Sequence, residues 1–232
     1  MKKLPSPATY DREMIFLPWV SVIRKMIDYG RKSPKNFKIL DLMCGTGYLL
    51  GNLSKDRPDL QLTGIDIESQ FISYASNQYS AVKFIKDDVL LWKPTEKYDI
   101  IFCTGALHHL RYKDQPKLIE KISKSLSNIE MSSFFMADSF IRDYHNEMEK
   151  KLASLELGNY YITYAIEKNA PADIIEATID ILHNDILDFE CKTSICRTED
   201  LLRKYFSCVQ QSALSNIPAQ YGDRYFVCGN NF

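Results

Sequence analysis

The chain has 232 residues, a formal net charge of −1 and 25% charged residues. This length suits a single α/β domain, and the near-neutral charge gives no general attraction to nucleic acid or to an anionic membrane. No apolar run reaches the roughly 18 to 20 residues of a membrane-spanning helix, and no apolar signal core follows the N-terminal lysines. We therefore expect a cytoplasmic protein with no DNA and no membrane partner; the oligomeric state is left open.

The cysteines are six in number and form no C-x-x-C pair. Several lie in or beside apolar runs, which favours free thiols in a reducing compartment over disulfides or a zinc site. The six are Cys44, Cys103, Cys191, Cys196, Cys208 and Cys228.

The N-terminal two thirds of the chain alternates between helix and strand patterns. An amphipathic helix is predicted over 10–30, with Pro18 as a break or a helix start. Further helices are expected at 47–56, 69–78 and 114–127, and strands at 37–42, 60–66, 82–86, 98–103 and 131–137. Alternation of this kind predicts right-handed crossovers and a parallel sheet that is covered on both faces.

The C-terminal part ends differently, in a helix that closes near Phe206 and two strands, 208–214 and 224–228. We interpret these strands as an antiparallel hairpin with a tight loop at the sheet edge. The predicted fold is therefore a single domain, 1–232, with a Rossmann-like, seven-stranded, mostly parallel sheet. Its expected parts are a core at 37–138, a helical insertion at 139–195 between the fifth and sixth strands, and a terminal helix and hairpin at 196–232.

The insertion admits two interpretations. Its helices, one of which begins near Pro171, either pack as extra cover on the sheet or form a lid over a substrate. The chain topology is consistent with a lid, because the insertion follows the carboxyl end of a strand, where ligands of open α/β sheets bind. The insertion's tyrosines would suit an aromatic pocket and would equally suit a core.

Four polar or glycine-containing segments follow the first four core strands. Carboxyl ends of parallel strands meet at one edge of a sheet, so these segments are expected to form one ligand site. The segments are Asp41-Leu42-Met43-Cys44-Gly45-Thr46-Gly47, Gly64-Ile65-Asp66-Ile67, Lys86-Asp87-Asp88-Val89 and Thr104-Gly105-Ala106-Leu107-His108-His109.

The first segment lacks the chemistry of a phosphate site. Phosphate-binding turns use a glycine-rich loop with Lys or Arg at the start of the following helix. Here Gly47 is followed by Tyr48, Leu49 and Leu50. The absence of a basic residue there argues against a ligand that carries phosphate, and so against a dinucleotide dehydrogenase.

With these four segments in order, the chain resembles a class I S-adenosylmethionine-dependent methyltransferase of the small-molecule type. The resemblance covers 37–138 closely and the C-terminal hairpin more loosely. The family's turn usually contains three glycines, and Met43 replaces the first of them. Met43 is expected to be a packing residue that could alter the floor of the methionine pocket.

The resemblance implies roles around S-adenosylmethionine. Asp41 would hold its amino group, the main chain at Gly45 and Gly47 would face its methionine portion, and Thr104 would line the same side. Asp66 would accept hydrogen bonds from the ribose hydroxyls. Asp41 could alternatively satisfy only backbone donors at the turn, and Asp66 could act only as a helix N-cap.

The adenine end of the cofactor is assigned to the third segment. By the same resemblance Asp88 would accept from the adenine amino group and the Val89 N–H would donate to a ring nitrogen, with Ile67 nearby. Asp88 is preferred over its neighbour Asp87, which could be simply solvated.

The sequence gives a less specific prediction for the residues that bind the methyl acceptor than for those that bind the cofactor. Methyl transfer is an in-line displacement, so alignment and desolvation are the main tasks, with a base needed only for a protonated acceptor. His108 and His109 are candidates for that base or for packing behind the cofactor, and Tyr10 and Trp19 would close over the acceptor. No metal site is predicted from His145, His183 or Asp138.

The predicted function is methyl transfer from S-adenosylmethionine to O, N or C of a small-molecule acceptor, with S-adenosylhomocysteine as product. Two alternatives stay open. One is a methyltransferase of tRNA or protein, disfavoured by the absence of a basic stripe. The other is a non-catalytic protein that binds S-adenosylmethionine only to hold a partner surface.

Overall fold

The computed structural model describes residues 6–187, 190–214 and 221–230, with the side chains of residues 184 and 185 outside the description. Seven strands form one sheet: β1 Lys38–Leu42, β2 Gln61–Asp66, β3 Lys83–Lys86, β4 Ile100–Thr104, β5 Ser133–Phe140, β6 Cys208–Ala213 and β7 Gly222–Gly229. Eight α-helices accompany them in the described residues: α1 Pro7–Phe16, α2 Trp19–Arg31, α3 Tyr48–Asp56, α4 Ser69–Gln78, α5 Gln115–Ser125, α6 Glu147–Glu167, α7 Ala172–Asp180 and α8 Ile195–Leu202.

The sheet has the strand order β3-β2-β1-β4-β5-β7-β6. The first five strands are parallel, whereas β7 pairs antiparallel with both β5 and β6. In the register of the sheet, Asp41 lies between Gly64 of β2 and Phe102 of β4. The predicted Rossmann-like sheet with an antiparallel C-terminal hairpin is confirmed. The order reverses between β1 and β4, which is where open sheets of this kind bind ligands.

The predicted N-terminal helix is divided into two helices, α1 and α2, and Pro18, the predicted break or helix start, is the N-cap residue of α2. Two local predictions are corrected. The fifth strand runs to Phe140, beyond the predicted 137, because its pairing with β7 extends to Gly222. The hairpin loop is not tight, since β6 ends at Ala213 and β7 begins at Gly222; within it, residues 215–220 lie outside the described part of the chain.

The core has two halves because successive strand residues face opposite sides of the sheet. Ile39 and Phe102 pack with α2 and α3 on one side. Leu40 and Cys103 pack with α5 and α8 on the other. Both faces of the central strands are therefore buried, as a parallel sheet requires.

The insertion has an apolar cluster of its own, which includes Leu157, Tyr161 and Leu182. Helix α6 begins where the Asn146 side chain accepts a hydrogen bond from the backbone N–H of Glu149 at 2.9 Å. Helix α7 continues into a π-helical turn, Ile181–Ile186. The insertion is thus a small packed unit beside the sheet.

Two predictions from composition can be compared with the structure. All six cysteines are free, and Cys103 and Cys228 are buried while Cys196 is exposed. No helix in the described ranges combines the length and the apolar character that crossing a bilayer requires.

The buried face of α3 gives a direct test of this packing. Leu50 has 0% relative exposure, whereas Leu91 has 73%. We expect Leu50→Ala to lower the free energy of unfolding by about 2 to 5 kcal/mol, because it leaves a cavity in the core. Leu91→Ala, the same change at the surface, should alter it by less than about 0.5 kcal/mol. Urea unfolding followed by circular dichroism measures both, and equal effects would contradict the assigned burial.

Candidate functional site

A cavity of about 600 Å³ lies at the carboxyl ends of β1 to β4. Its floor consists of the segments that follow these strands, as the sequence predicted. Its walls come from α1 and α2 on one side and from the insertion on the other. The sequence-predicted residues at its lining are Tyr10, Trp19, Asp41, Gly45, Asp66, Ile67, Asp88, Val89, Thr104, His108 and His109.

Gly47 is the one predicted binding residue absent from this lining. Its backbone has φ +73°, and a Cβ there would come within 2.5 Å of the Phe84 ring and 2.9 Å of Ala75. Gly45 has φ +52°, yet a Cβ would meet nothing within 4 Å because it would point into open space. Gly47 therefore serves close packing of α3 against its neighbours, while Gly45 faces the cavity.

Met43 occupies a left-handed backbone conformation, with φ +59°. This region favours glycine and costs an L-residue about 1 kcal/mol. The chain thus keeps the backbone shape of a glycine turn while placing a side chain there. That side chain packs against the core beneath the site and also lines the cavity.

The Asp66 carboxylate ties the first two strand ends together. One oxygen accepts from the Gly45 N–H and the other from the Glu68 N–H, each at 2.8 Å. A second link joins the same strand ends, since the Cys44 N–H donates to the Ile65 carbonyl at 3.0 Å. Hydrogen bonds from the protein itself therefore hold this turn.

Asp41 and Asp66 form a concentration of negative charge below this turn. Asp41 is 3% exposed and Asp66 is 7% exposed. Burial, followed by the charge of Asp66, raises the pKa of Asp41 well above its ordinary value. Burial also raises the pKa of Asp66, although its backbone hydrogen bonds oppose the shift. No Lys or Arg of the described residues forms an ion pair with either carboxylate or lowers its pKa.

The third strand end is held by a residue that the sequence analysis missed. Lys121 of α5 donates to the carbonyls of Val89, Leu90 and Trp92 at 2.7 to 2.8 Å. Asp88 also accepts from the Leu90 N–H at 2.8 Å. These bonds fix a short loop at the cavity edge, with Val89 buried beneath it. A lysine on an otherwise ordinary amphipathic helix carries no sequence signal of this role.

Thr104 and Trp19 are also lining residues of the cavity. The Thr104 Oγ1 is buried and has no hydrogen-bond partner among the described residues. Trp19 packs on Gly105, where an added Cβ would lie 2.9 Å from the indole ring. Tyr10 stands on α1, with its ring 5.6 Å from that of Phe71. A polar atom without a partner in a cavity is a position that a ligand can satisfy.

Helix α1 is fastened to the glycine turn. The Thr46 hydroxyl donates to an Asp11 carboxylate oxygen at 2.5 Å, and Tyr74 donates to the other at 3.3 Å. Arg12 on the same helix forms an ion pair with Asp173 of α7 at 2.8 Å. The helix that carries Tyr10 thus bridges the turn and the insertion.

His108 belongs to a buried charged cluster. Its Nδ1 lies 2.6 Å from Asp138 Oδ1, and its Nε2 lies 3.4 Å from Glu190 Oε1. Lys192 Nζ completes the cluster at 3.7 Å from Asp138 and 3.3 Å from Glu190. All four side chains are 8% exposed or less. Two carboxylates therefore face two basic groups, so the cluster can be electrically balanced.

The charges in this cluster set the protonation of its members. Burial disfavours the charged form of His108, but Asp138 outweighs it and the pKa of His108 is raised. Burial likewise opposes ionisation of Glu190, but Lys192 and His108 hold its pKa well below the ordinary value. Desolvation, followed by the charge of His108, lowers the pKa of His109 to about 3. The two neighbouring histidines are thus electrostatically different.

Glu190 and Lys192 line the cavity but were not predicted as site residues. They lie between the π-helical turn and α8, in a segment with no regular secondary structure. Their only sequence signal is an acid and a base separated by one residue. Nothing in that pattern indicates that the segment returns beneath His108, where the His108 carbonyl accepts from the Cys191 N–H at 2.7 Å.

Comparison with known proteins agrees with the fold. Residues 39–128 match a family model described as a methyltransferase domain. Over these residues the chain is similar to a methyltransferase domain, in agreement with the predicted resemblance to class I S-adenosylmethionine-dependent methyltransferases. The match spans the four strand ends that build the floor of the cavity.

Individual relatives are more distant. The trans-aconitate 2-methyltransferase of Acidovorax sp. (strain JS42) is 26% identical over 144 residues, which are 62% of this chain and 55% of that protein. This chain therefore spans about half the length of the curated relatives it matches.

Two solved structures share the fold. The plantazolicin methyltransferase BpumL, in complex with a triazolic desmethylPZN analog and SAH, superposes with a TM-score of 0.64 at 18% identity, over 95% of this chain and 88% of that one. A DhpI–SAH complex gives a TM-score of 0.61 at 15% identity, over 97% and 91%.

The two glycines of the turn allow a matched test of their different roles. Gly45→Ala adds a methyl group in open space, so only its left-handed backbone costs stability, by about 1 kcal/mol. Gly47→Ala carries a similar backbone cost and also presses on Phe84 and Ala75, which adds about 1 to 3 kcal/mol. Thermal and urea unfolding should rank Gly47→Ala as clearly the less stable. The opposite ranking would contradict the geometry of the turn.

Proposed function

We propose that the chain is an S-adenosylmethionine-dependent methyltransferase that acts on a small molecule. The observation that carries the proposal is the buried pair Asp41 and Asp66, which has no cationic partner in the described residues. Buried carboxylates are costly unless they are paired. A ligand with an ammonium and a sulfonium group would supply the missing positive charge.

The cofactor roles follow the order of the strand ends. Asp41 would bind the ammonium group and the main chain at Gly45 the methionine portion, while the unpartnered Thr104 hydroxyl faces the same region. Asp66 retains lone pairs for ribose hydroxyls beyond its two backbone bonds. The Asp88–Val89 loop, fixed by Lys121, would receive the adenine.

The opposite wall of the cavity is where the acceptor would bind. It is largely apolar, with aromatic and aliphatic side chains from α1, α2, the link between these two helices and the insertion: Tyr10, Met14, Leu17, Trp19, Ile23, Tyr161, Ile181 and Ile186. Such a wall suits a small molecule with an apolar body. It also supports a lid role for the insertion, whose Tyr161, Ile181 and Ile186 face the cavity.

The charges of this wall bear on the class of acceptor. Lys192 is the only Lys or Arg at the cavity among the described residues, and it is already paired with Asp138 and Glu190. An acceptor with several carboxylates, such as the trans-aconitate in the relatives' name, would find no unpaired cation here. We therefore favour an acceptor whose nucleophilic oxygen or nitrogen belongs to a molecule without several negative charges.

Methyl transfer does not require the protein to form a covalent intermediate. The methyl carbon is activated by the sulfonium, so a buried cavity contributes mainly alignment and exclusion of water. His109 is the less buried of the two histidines, and its ring is uncharged at neutral pH because its pKa is lowered to about 3. It can accept a hydrogen bond from the acceptor, while His108 is occupied by Asp138.

Binding of the cofactor can be tested at Asp66. We expect the purified chain to bind S-adenosylmethionine in a calorimetric titration, and Asp66→Ala to weaken that binding about tenfold or more, since it removes a charged acceptor at the ribose. Asp56→Ala is the matched control, because Asp56 is a surface carboxylate paired with Arg31. Unchanged affinity in Asp66→Ala would remove the cofactor assignment.

Catalysis can be separated from binding by product release. We expect S-adenosylhomocysteine to form above background when the chain is incubated with S-adenosylmethionine and a small-molecule metabolite extract, and this formation to be lost in Asp66→Ala. Release with a tRNA or protein fraction alone would favour the macromolecular alternative. Binding without release in any fraction would favour a non-catalytic protein.

A further inference from the structure

We propose that His108, His109 and Glu190 form a binding site for a divalent cation of the zinc or ferrous type. The three side chains meet at the acceptor wall of the cavity, beside the methyltransferase floor. The sequence analysis predicted no metal there, because Glu190 lies more than eighty positions from the histidine pair and no regular spacing connects them.

The geometry of the donor atoms is that of a three-ligand site. His108 Nε2 lies 3.4 Å from Glu190 Oε1, and His109 Nδ1 lies 3.9 Å from the same oxygen. One donor atom from each residue lies within 4.8 Å of the other two. Metal–nitrogen and metal–oxygen bonds are about 2.0 to 2.2 Å, so an ion between the three atoms needs only a small inward movement.

Neighbouring groups orient two of the three ligands. Asp138 Oδ1 lies 2.6 Å from His108 Nδ1, so that nitrogen carries a hydrogen and Nε2 can present its lone pair to an ion. This carboxylate–histidine arrangement is the usual support of a metal-bound imidazole. Lys192 approaches Glu190 at Oε2, 3.3 Å away, and leaves Oε1 for the ion.

The charge balance also fits. With His108 neutral, Asp138 and Glu190 carry two negative charges and Lys192 one positive charge. A divalent ion leaves a net charge of plus one, which an oxygen ligand from solvent or acceptor can offset. Without an ion, a proton between His108 Nε2 and Glu190 balances the same cluster, so metal and proton compete for one position.

The donor set indicates the kind of cation. Two imidazoles with one carboxylate suit Zn²⁺ or Fe²⁺, whereas Mg²⁺ and Ca²⁺ prefer oxygen ligands throughout. Three protein ligands leave coordination positions open towards the cavity. This part of the inference rests on the proposed function: the open position would hold a hydroxyl or carbonyl oxygen of the methyl acceptor, which assigns the acceptor to the oxygen-bearing small molecules.

Metal binding can be measured without acceptor or cofactor, so its outcome is independent of the methyl-transfer proposal. After removal of metals with a chelator, the full chain is titrated with Zn²⁺ in a calorimeter under reducing conditions. We expect one ion per chain, with binding weakened about tenfold or more in His109→Ala and in Glu190→Gln, since each loses one ligand. Co²⁺ serves as a second probe, because its visible spectrum distinguishes nitrogen and oxygen ligands from cysteine thiolates.

Two controls make the result decisive. His183→Ala removes a histidine that is exposed and does not line the cavity, so Zn²⁺ affinity should stay unchanged. Circular dichroism and thermal unfolding of each variant show whether it folds. If Glu190→Gln does not fold because Glu190 is buried, His109→Ala still tests the site. Absence of Zn²⁺ binding, equal affinity in folded His109→Ala, or a thiolate-type Co²⁺ spectrum would overturn the site and leave the proton-bridged cluster in its place.

Discussion

Two buried carboxylates, Asp41 and Asp66, lie at the ends of neighbouring strands, and the shape and charge of the site depend on them. Asp66 joins the turn after β1 to the end of β2 through its bonds to Gly45 and Glu68. Asp41 lies beside it, on β1, with no cation of its own among the described residues. A protein that buries such a pair gives up stability when it is empty and recovers it when a cation binds. We therefore interpret the two carboxylates as residues that bind a cationic ligand, in addition to their role in holding the turn.

Residues outside the glycine turn hold the other elements of the site in place around Asp41 and Asp66. Asp11 and Thr46 attach α1 to the glycine turn, and Lys121 holds the loop that follows β3. Met43 shows how strongly the shape of the turn is imposed, because a residue with a side chain keeps a left-handed backbone there. Rigid support of this kind lets a cavity align two molecules, which is the main requirement of methyl transfer.

Sequence reasoning reached the floor of the site because that floor is local. Each predicted residue there follows a strand directly, and parallel strands bring their carboxyl ends together. A motif alone does not distinguish Gly45 from Gly47. Gly45 faces the cavity and Gly47 allows close packing, and only the packing of the folded chain shows this difference. The hairpin loop and the end of β5 were misjudged because strand pairing, and not local pattern, sets where those strands end.

Glu190 and Lys192 of the acceptor wall were beyond sequence reasoning for a different reason. Glu190 and Lys192 reach the cavity from an irregular segment whose path depends on how the whole insertion packs. Their partners, His108 and Asp138, come from two other parts of the chain. A balanced set of buried charges from three distant segments has no periodicity, so tertiary structure alone brings it together.

The most direct test of the central claim is to titrate the Asp41 and Asp66 carboxyl groups by carbon NMR, with and without S-adenosylmethionine. In the free protein both pKa values should lie above the ordinary value of about 3.9 for aspartate. A bound cation favours the ionised carboxylates, so S-adenosylmethionine should lower both pKa values, and its affinity should fall as the pH decreases through them. Ordinary pKa values in the free protein that do not change on addition of S-adenosylmethionine would contradict the account.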